Sequence, residues 1–158
     1  EVDIGILALP LEAKYLEREV LFEEELWLVL PCNHPLAAAR RLSLECVEDQ
    51  PFIMLDEAHC LANSILGFCQ RQAFQPKVIG RTSQLSMVQE LVSLGHGVSL
   101  IPDMARRIDS SDRRVYRSFS GQKPTRQLVM VWDPYRFQTR MHQNFREHLR
   151  KFVGELPK

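Results

Sequence analysis

The sequence lacks most features that would assign it quickly. Its 158 residues hold no stretch approaching 18 consecutive apolar side chains, so no transmembrane helix is expected. Neither charge sign prevails, with 20 Lys and Arg against 20 Asp and Glu, which argues against the basic surface of a nucleic-acid-binding domain. The residues carry no signal-peptide pattern. No glycine-rich phosphate loop, Ser–His–Asp arrangement or CxxC pair is present. Cys32-Asn33-His34 and His59-Cys60 match no standard zinc spacing, so neither a metal nor a cofactor is expected. An initiator Met is missing too. The chain opens on Glu1 and the strand-like run Val2 to Leu9, which reads as a piece of a longer polypeptide, cut inside a domain.

What is present is an ordinary globular composition, 45% hydrophobic and 25% charged, ruling out disorder and low complexity. Val2 to Leu9, Glu17 to Phe22 and Leu26 to Leu30 read as strands, the last two flanking the acidic Glu23-Glu24-Glu25. Pro31 to Leu36 is a turn cluster. Regularity follows: strand Phe52 to Leu55, helix Leu61 to Gln70, strand Val78 to Gly80, helix Ser83 to Leu94, strand Val98 to Ile101. Ser83 is placed as N-cap and Gly95 as the stop of that second helix. Val115 to Phe119 reads as an edge strand, Gly121 to Pro124 as a second turn cluster, Leu128 to Trp132 as a strand and Phe137 to Phe152 as a terminal helix. Strands alternating with helices over short links indicate βαβ units and a parallel sheet. The expected fold is α/β in two Rossmann-like lobes. Residues 1–31 plus 126–158 would form lobe I and 32–125 lobe II, with a ligand cleft between them.

Cys60 and Cys69 are the candidate chemical residues. Nine residues of helix separate their Cα atoms by roughly 13–14 Å and place them on opposite faces. A disulfide needs Cα atoms within about 7 Å. The two thiols therefore bond only if the helix unwinds, which makes the pair a candidate redox-driven switch. Cys60 falls at the helix N-terminus beside His59, where the helix dipole favours a thiolate; Asp56 and Glu57 oppose it. The competing reading is two unrelated core cysteines. Cys32 and Cys46 read as small buried or half-buried residues. Thr82 and Ser83 are candidate anion ligands at a helix start, or a simple cap. Arg126 either faces the cleft or is solvated.

Asn33-His34-Pro35-Leu36-Ala37, Thr82-Ser83, Gly95-x-Gly97 and Leu100-Ile101-Pro102 together resemble the effector-binding domain of LysR-type transcriptional regulators, along essentially the whole chain. The resemblance implies two lobes hinged like a periplasmic binding protein, the first truncated at its N-terminus and the family's winged helix-turn-helix absent. Within that family, His59-Cys60-Leu61 followed by Gly67-Phe68-Cys69 is similar to the redox segment of OxyR-type hydrogen peroxide sensors. That likeness implies that Cys60 reacts with peroxide, Cys69 resolves the sulfenic acid to a disulfide, and Arg126 lies near the reactive thiol. Departures are Ala62-Asn63-Ser64, where Arg-Asp-Gln is usual, and Ala58, where Gly is usual.

The expected function is thus a cytoplasmic, non-enzymatic regulatory domain, a homodimer or homotetramer with no membrane association. DNA and RNA polymerase would be contacted through the full-length protein. The alternative is a LysR-type regulator whose cleft binds a small organic co-inducer, with Thr82, Ser83 and Arg126 as candidate contacts and its cysteines incidental.

Overall fold

The computed structural model describes residues 2–56 and 60–156. Two compact units divide the chain, Glu1–Glu23 with Gln127–Lys158, and Glu24–Arg126. The α/β class matches the expectation.

In the first unit, β1 (Ile4–Ala8) pairs antiparallel with β7 (Thr125–Trp132), Ile4 opposite Trp132 and Ala8 opposite Leu128. β2 (Glu17–Pro31) follows β7 in the sheet order. Val129, Met130 and Val131 on β7 are buried with Ala8. Helix α4 (Arg140–Glu155) starts at Thr139, whose hydroxyl accepts from the His142 N–H while His142 Nδ1 accepts from the Thr139 N–H. This reciprocal cap satisfies two otherwise orphaned donors. Arg146 lies over the Trp132 ring at 4.5 Å, and Arg150 makes two 2.7 Å hydrogen bonds to Glu19.

The second unit contains the βαβ pattern. β3 (Pro51–Leu55) is parallel to β4 (Lys77–Thr82), and α1 (Cys60–Arg71) joins them. α2 (Leu85–Ser93) then leads to Val98, which bridges Phe52 in parallel. β5 (Ser99–Pro102) turns away from that pattern and pairs antiparallel with β2, as does β6 (Arg114–Arg117). Among the described residues, parallel pairing joins β3 to β4 and Phe52 to Val98. α3 (Asp103–Arg107) follows β5 directly. The core gathers Leu26, Leu28, Val29 and Leu30 from β2, all β3 residues after Pro51, the inner face of α1, and Val88 and Val92 from α2.

Two local expectations are corrected. β2 is one strand of 15 residues, not two short ones. The acidic triplet looked like a break because charge rarely enters a strand bordering a core. Here each carboxylate has a partner. Glu23 accepts from Gln127, Glu24 from Arg126, and Glu25 from Lys123 and Ser118. Ser83, in turn, does not cap α2. Gln84 holds that position and makes no side-chain capping bond, while Thr82 Oγ1 accepts from the Gln84 N–H at 3.5 Å.

Gly95 (φ +81°) ends α2 as expected, and Gly97 has a different task. A Cβ there would stand 2.4 Å from the Pro51 carbonyl oxygen, the atom that accepts the Val98 N–H at 2.8 Å. Only a residue without Cβ lets the strands close at that point. Gly97→Ala is expected to lower stability by about 2–3 kcal/mol, seen as a lower urea midpoint with an unchanged slope.

Candidate functional site

Helix α1 carries both candidate thiols. Leu61, Ala62, Ser64, Ile65, Phe68 and Cys69 are its buried residues, a spacing that gives one wide face to the core. Cys60 is the first helical residue and is partly exposed. Its carbonyl accepts from the Ser64 hydroxyl at 2.9 Å. His59 lies outside the described residues.

Cys69 occupies the opposite environment. It is 1% exposed, within the core cluster. Burial pushes its thiol up to about 11, so at neutral pH it is protonated and a poor nucleophile. Both cysteines are free, and they sit nine residues apart in one unbroken helix. Rise alone keeps their Cα atoms roughly 13–14 Å apart, beyond disulfide reach. A bond between them requires α1 to open and Cys69 to leave the core. The helix is weakest between them: Gly67 is helical, and glycine inside a helix costs about 1 kcal/mol relative to alanine.

Arg126 is engaged elsewhere. Its Nε and Nη2 donate to Glu24 Oε1 at 2.8 and 2.7 Å, and Nη2 is 3.5 Å from Met104 Sδ. Among the described residues no hydrogen bond joins Arg126 to Cys60 or Cys69. The second Glu24 oxygen accepts from the Met104 N–H at 2.8 Å, so a carboxylate whose side chain is only 7% exposed has both oxygens satisfied. Thr82 ends β4 and is half-buried; Ser83 follows it and is exposed. Cys32 and Cys46 are both exposed, correcting their assignment as buried or half-buried. The Ser43 hydroxyl near Cys46 Sγ lowers that thiol from its ordinary value.

Sequence reasoning missed a polar cluster on the far side of α2. Arg114 grips Asp109 through two bonds of 2.6 and 2.7 Å and also reaches Glu90 and Ser93, each at 2.9 Å. Tyr116 donates to Asp109 and accepts from Gln89. The Arg114 bonds hold Asp109 down at about 2, and burial, then Asp109, pushes Tyr116 up to about 12. These bonds fasten the loop before β6 to α2. Glu24 was missed as well. The available signal was an acidic triplet running directly into Leu26 to Leu30, since a carboxylate entering a core demands a cation. Among the described residues, no group of three or more His, Cys, Asp or Glu could hold a metal, and no helix is long and apolar enough to cross a membrane.

Residues 1–154 match the family described as LysR substrate binding domain. A probable hydrogen peroxide-inducible genes activator of Mycobacterium avium is 31% identical over 157 residues, 98% of this chain and 49% of that protein. The chain spans about half the length of the curated relatives it matches. An OxyR mutant of Corynebacterium glutamicum superposes with a TM-score of 0.84 at 26% identity, covering 98% of this chain and 49% of that one. The CcmR regulatory domain of Synechocystis PCC6803, solved with 2-PG, gives a TM-score of 0.89 at 16% identity, covering 100% and 76%; that likeness concerns the fold.

Two measurements check this geometry. The Cys69 thiol keeps its proton in the folded state up to about 11 against a reference of 9.0. Its contribution to stability is therefore complete below about 9 and is lost as pH rises through about 11. The urea midpoint should fall across that window, and less steeply in Cys69→Ala. Glu24→Gln leaves the Arg126 charge buried without its counterion and is expected to cost about 3–5 kcal/mol in the same unfolding assay.

Proposed function

The chain belongs to the LysR substrate-binding domain family, a family of transcriptional regulator domains and not enzymes, and from that premise we propose that it is the regulatory part of a hydrogen peroxide-sensing regulator switched by Cys60 and Cys69. The observation that carries this reading is the contrast along α1. A partly exposed thiol opens the helix, and a core-buried thiol nine residues on is withheld from it. Relatives named as hydrogen peroxide-inducible genes activators support the same chemistry.

In the proposed sequence the Cys60 sulfur attacks one peroxide oxygen, the O–O bond breaks, and the departing oxygen takes a proton and leaves as water. Cys60 becomes a sulfenic acid. Cys69, once the helix opens, attacks that sulfur. The sulfenic oxygen leaves as a second water, and one disulfide has replaced two thiols. His59, next to Cys60, is assigned to orienting the peroxide, and Arg126 to the same site once it is released from Glu24. Opening α1 exposes the side chain of Phe68, whose burial is worth about 1.5–3 kcal/mol, so the reduced helix opens only transiently and stays open once a covalent bond offsets the lost contacts. The DNA-binding winged helix-turn-helix, assembly into dimers or tetramers, contact with RNA polymerase and a cytoplasmic location belong to this proposal for the whole protein.

A second reading has its own support. α2 starts without a side-chain cap, beside Thr82 and Ser83, and a regulator of the same fold was solved with 2-PG. In this reading a small organic anion would be held at Thr82, Ser83 and the α2 start, with the cysteines idle.

Peptide mass spectrometry after one equivalent of hydrogen peroxide separates the two readings. The switch requires a Cys60–Cys69 disulfide in the parent, a sulfenic acid without disulfide in Cys69→Ser, and neither in Cys60→Ser. Gly67→Ala fits without a clash, its added Cβ meeting Arg71 Nη1 at 3.5 Å. By firming the helix about 1 kcal/mol it should slow disulfide formation roughly fivefold while leaving sulfenic acid formation unchanged. Thiols that stay reduced, together with a thermal shift on adding a carboxylate or phosphate metabolite, would establish the second reading instead.

A further inference from the structure

The chain has five methionines. Met54 and Met130 are buried at 1% and 0% exposure. Met87, Met104 and Met141 are open to solvent at 48%, 47% and 78%. Of these three only Met104, among the described residues, is placed against a cation, its Sδ 3.5 Å from Arg126 Nη2. Its backbone N–H also donates to Glu24, the carboxylate that Arg126 holds. One residue thus touches both halves of a nearly buried ion pair.

We propose that Met104 is a second oxidation site, a thioether that takes an oxygen atom from a peroxide and presents the resulting sulfoxide to Arg126. The proposal goes beyond the thiol reading and does not depend on it.

The step balances without another reactant. A sulfur lone pair attacks one peroxide oxygen and the O–O bond breaks. The sulfur gives up two electrons and is oxidised; the peroxide is reduced, and its departing oxygen takes a proton and leaves as water. Charge develops on that departing oxygen, and a guanidinium N–H beside the sulfur is placed to stabilise it by a charge-assisted hydrogen bond. Divalent sulfur has two lone pairs, so the Arg126 contact does not block attack through the other.

The product changes the bonding around it. A thioether is a weak acceptor, whereas a sulfoxide is polar and accepts strongly through oxygen. That oxygen competes with Glu24 for the guanidinium, and Glu24 retains the Met104 N–H. Arg126 is the second residue of β7 and the last residue of the second unit. Oxidation of one exposed side chain would therefore rearrange the bonds that hold the start of this strand.

The test is a peroxide time course on the full chain carrying Cys60→Ser, with each methionine followed by peptide mass spectrometry. Removing Cys60 keeps the outcome independent of the thiol switch. Exposure alone ranks Met141 first. The proposal expects Met104 to oxidise about fivefold faster than Met141, the effect of one charge-assisted hydrogen bond in the transition state. It also expects that lead to vanish in Arg126→Lys, which keeps the charge and removes the fork. In addition, peroxide should shift the unfolding midpoint of the Cys60→Ser chain but not of the same chain with Met104→Leu. If Met104 trails Met141 and keeps pace with Met87, exposure governs and the proposal fails. That ranking decides the matter even if Arg126→Lys does not fold.

Discussion

A carboxylate set among wholly buried residues must be answered by a cation, and in this chain the answer comes from far away in sequence. Glu24 sits two residues before Leu26, the first of several β2 residues with no exposure at all. Its charge is tolerable there because Arg126 and the start of α3 supply three donors to its two oxygens. Such a pair is weak evidence for net stability, since desolvation offsets much of the attraction. What it fixes is register: the middle of β2, the turn from β5 into α3 and the first residues of β7 have to arrive together. Arg106, lying 4.2 Å over the Trp27 ring, ties α3 to the same stretch of β2.

Helix α1 is built on the opposite principle. Among the described residues, its packing comes from one buried face that is largely apolar. The thiol at its start is partly exposed. The thiol near its end is inert because it shares the core with Phe68. Placing Gly67 immediately before those two residues concentrates the helix's weakness where opening would have to begin. A segment held by packing and weakened by backbone entropy opens as a unit, which is what the proposed switch requires of it.

Much of this was legible from the residues. The run Leu61 to Gln70 read as a helix, and the βαβ rhythm from Phe52 to Ile101 announced the parallel pairs. The acidic triplet misled because its partners lie about a hundred positions along the chain, and no local pattern links Glu24 to Arg126. Ser83 misled for a different reason. Hydroxyls favour caps in general, but here β4 runs through Thr82 and α2 begins only at Leu85, so the register passed the cap to Gln84. The grip of Arg114 on Asp109 was hidden because a short polar loop reads as solvated until the fold brings α2 against it.

Gly97 bears on how such a chain could diverge. The demand on it is geometric: a neighbouring strand's carbonyl occupies the space where a side chain would begin. That demand is indifferent to what the protein senses. If the proposed function holds, a descendant answering to some other signal could replace Cys60 and Met104, which reach solvent, whereas Cys69 could go only to a residue that fills its place in the core. It could not discard Gly97 without first moving Pro51. The constraint on the scaffold is thus kept, in part, at a position with no side chain.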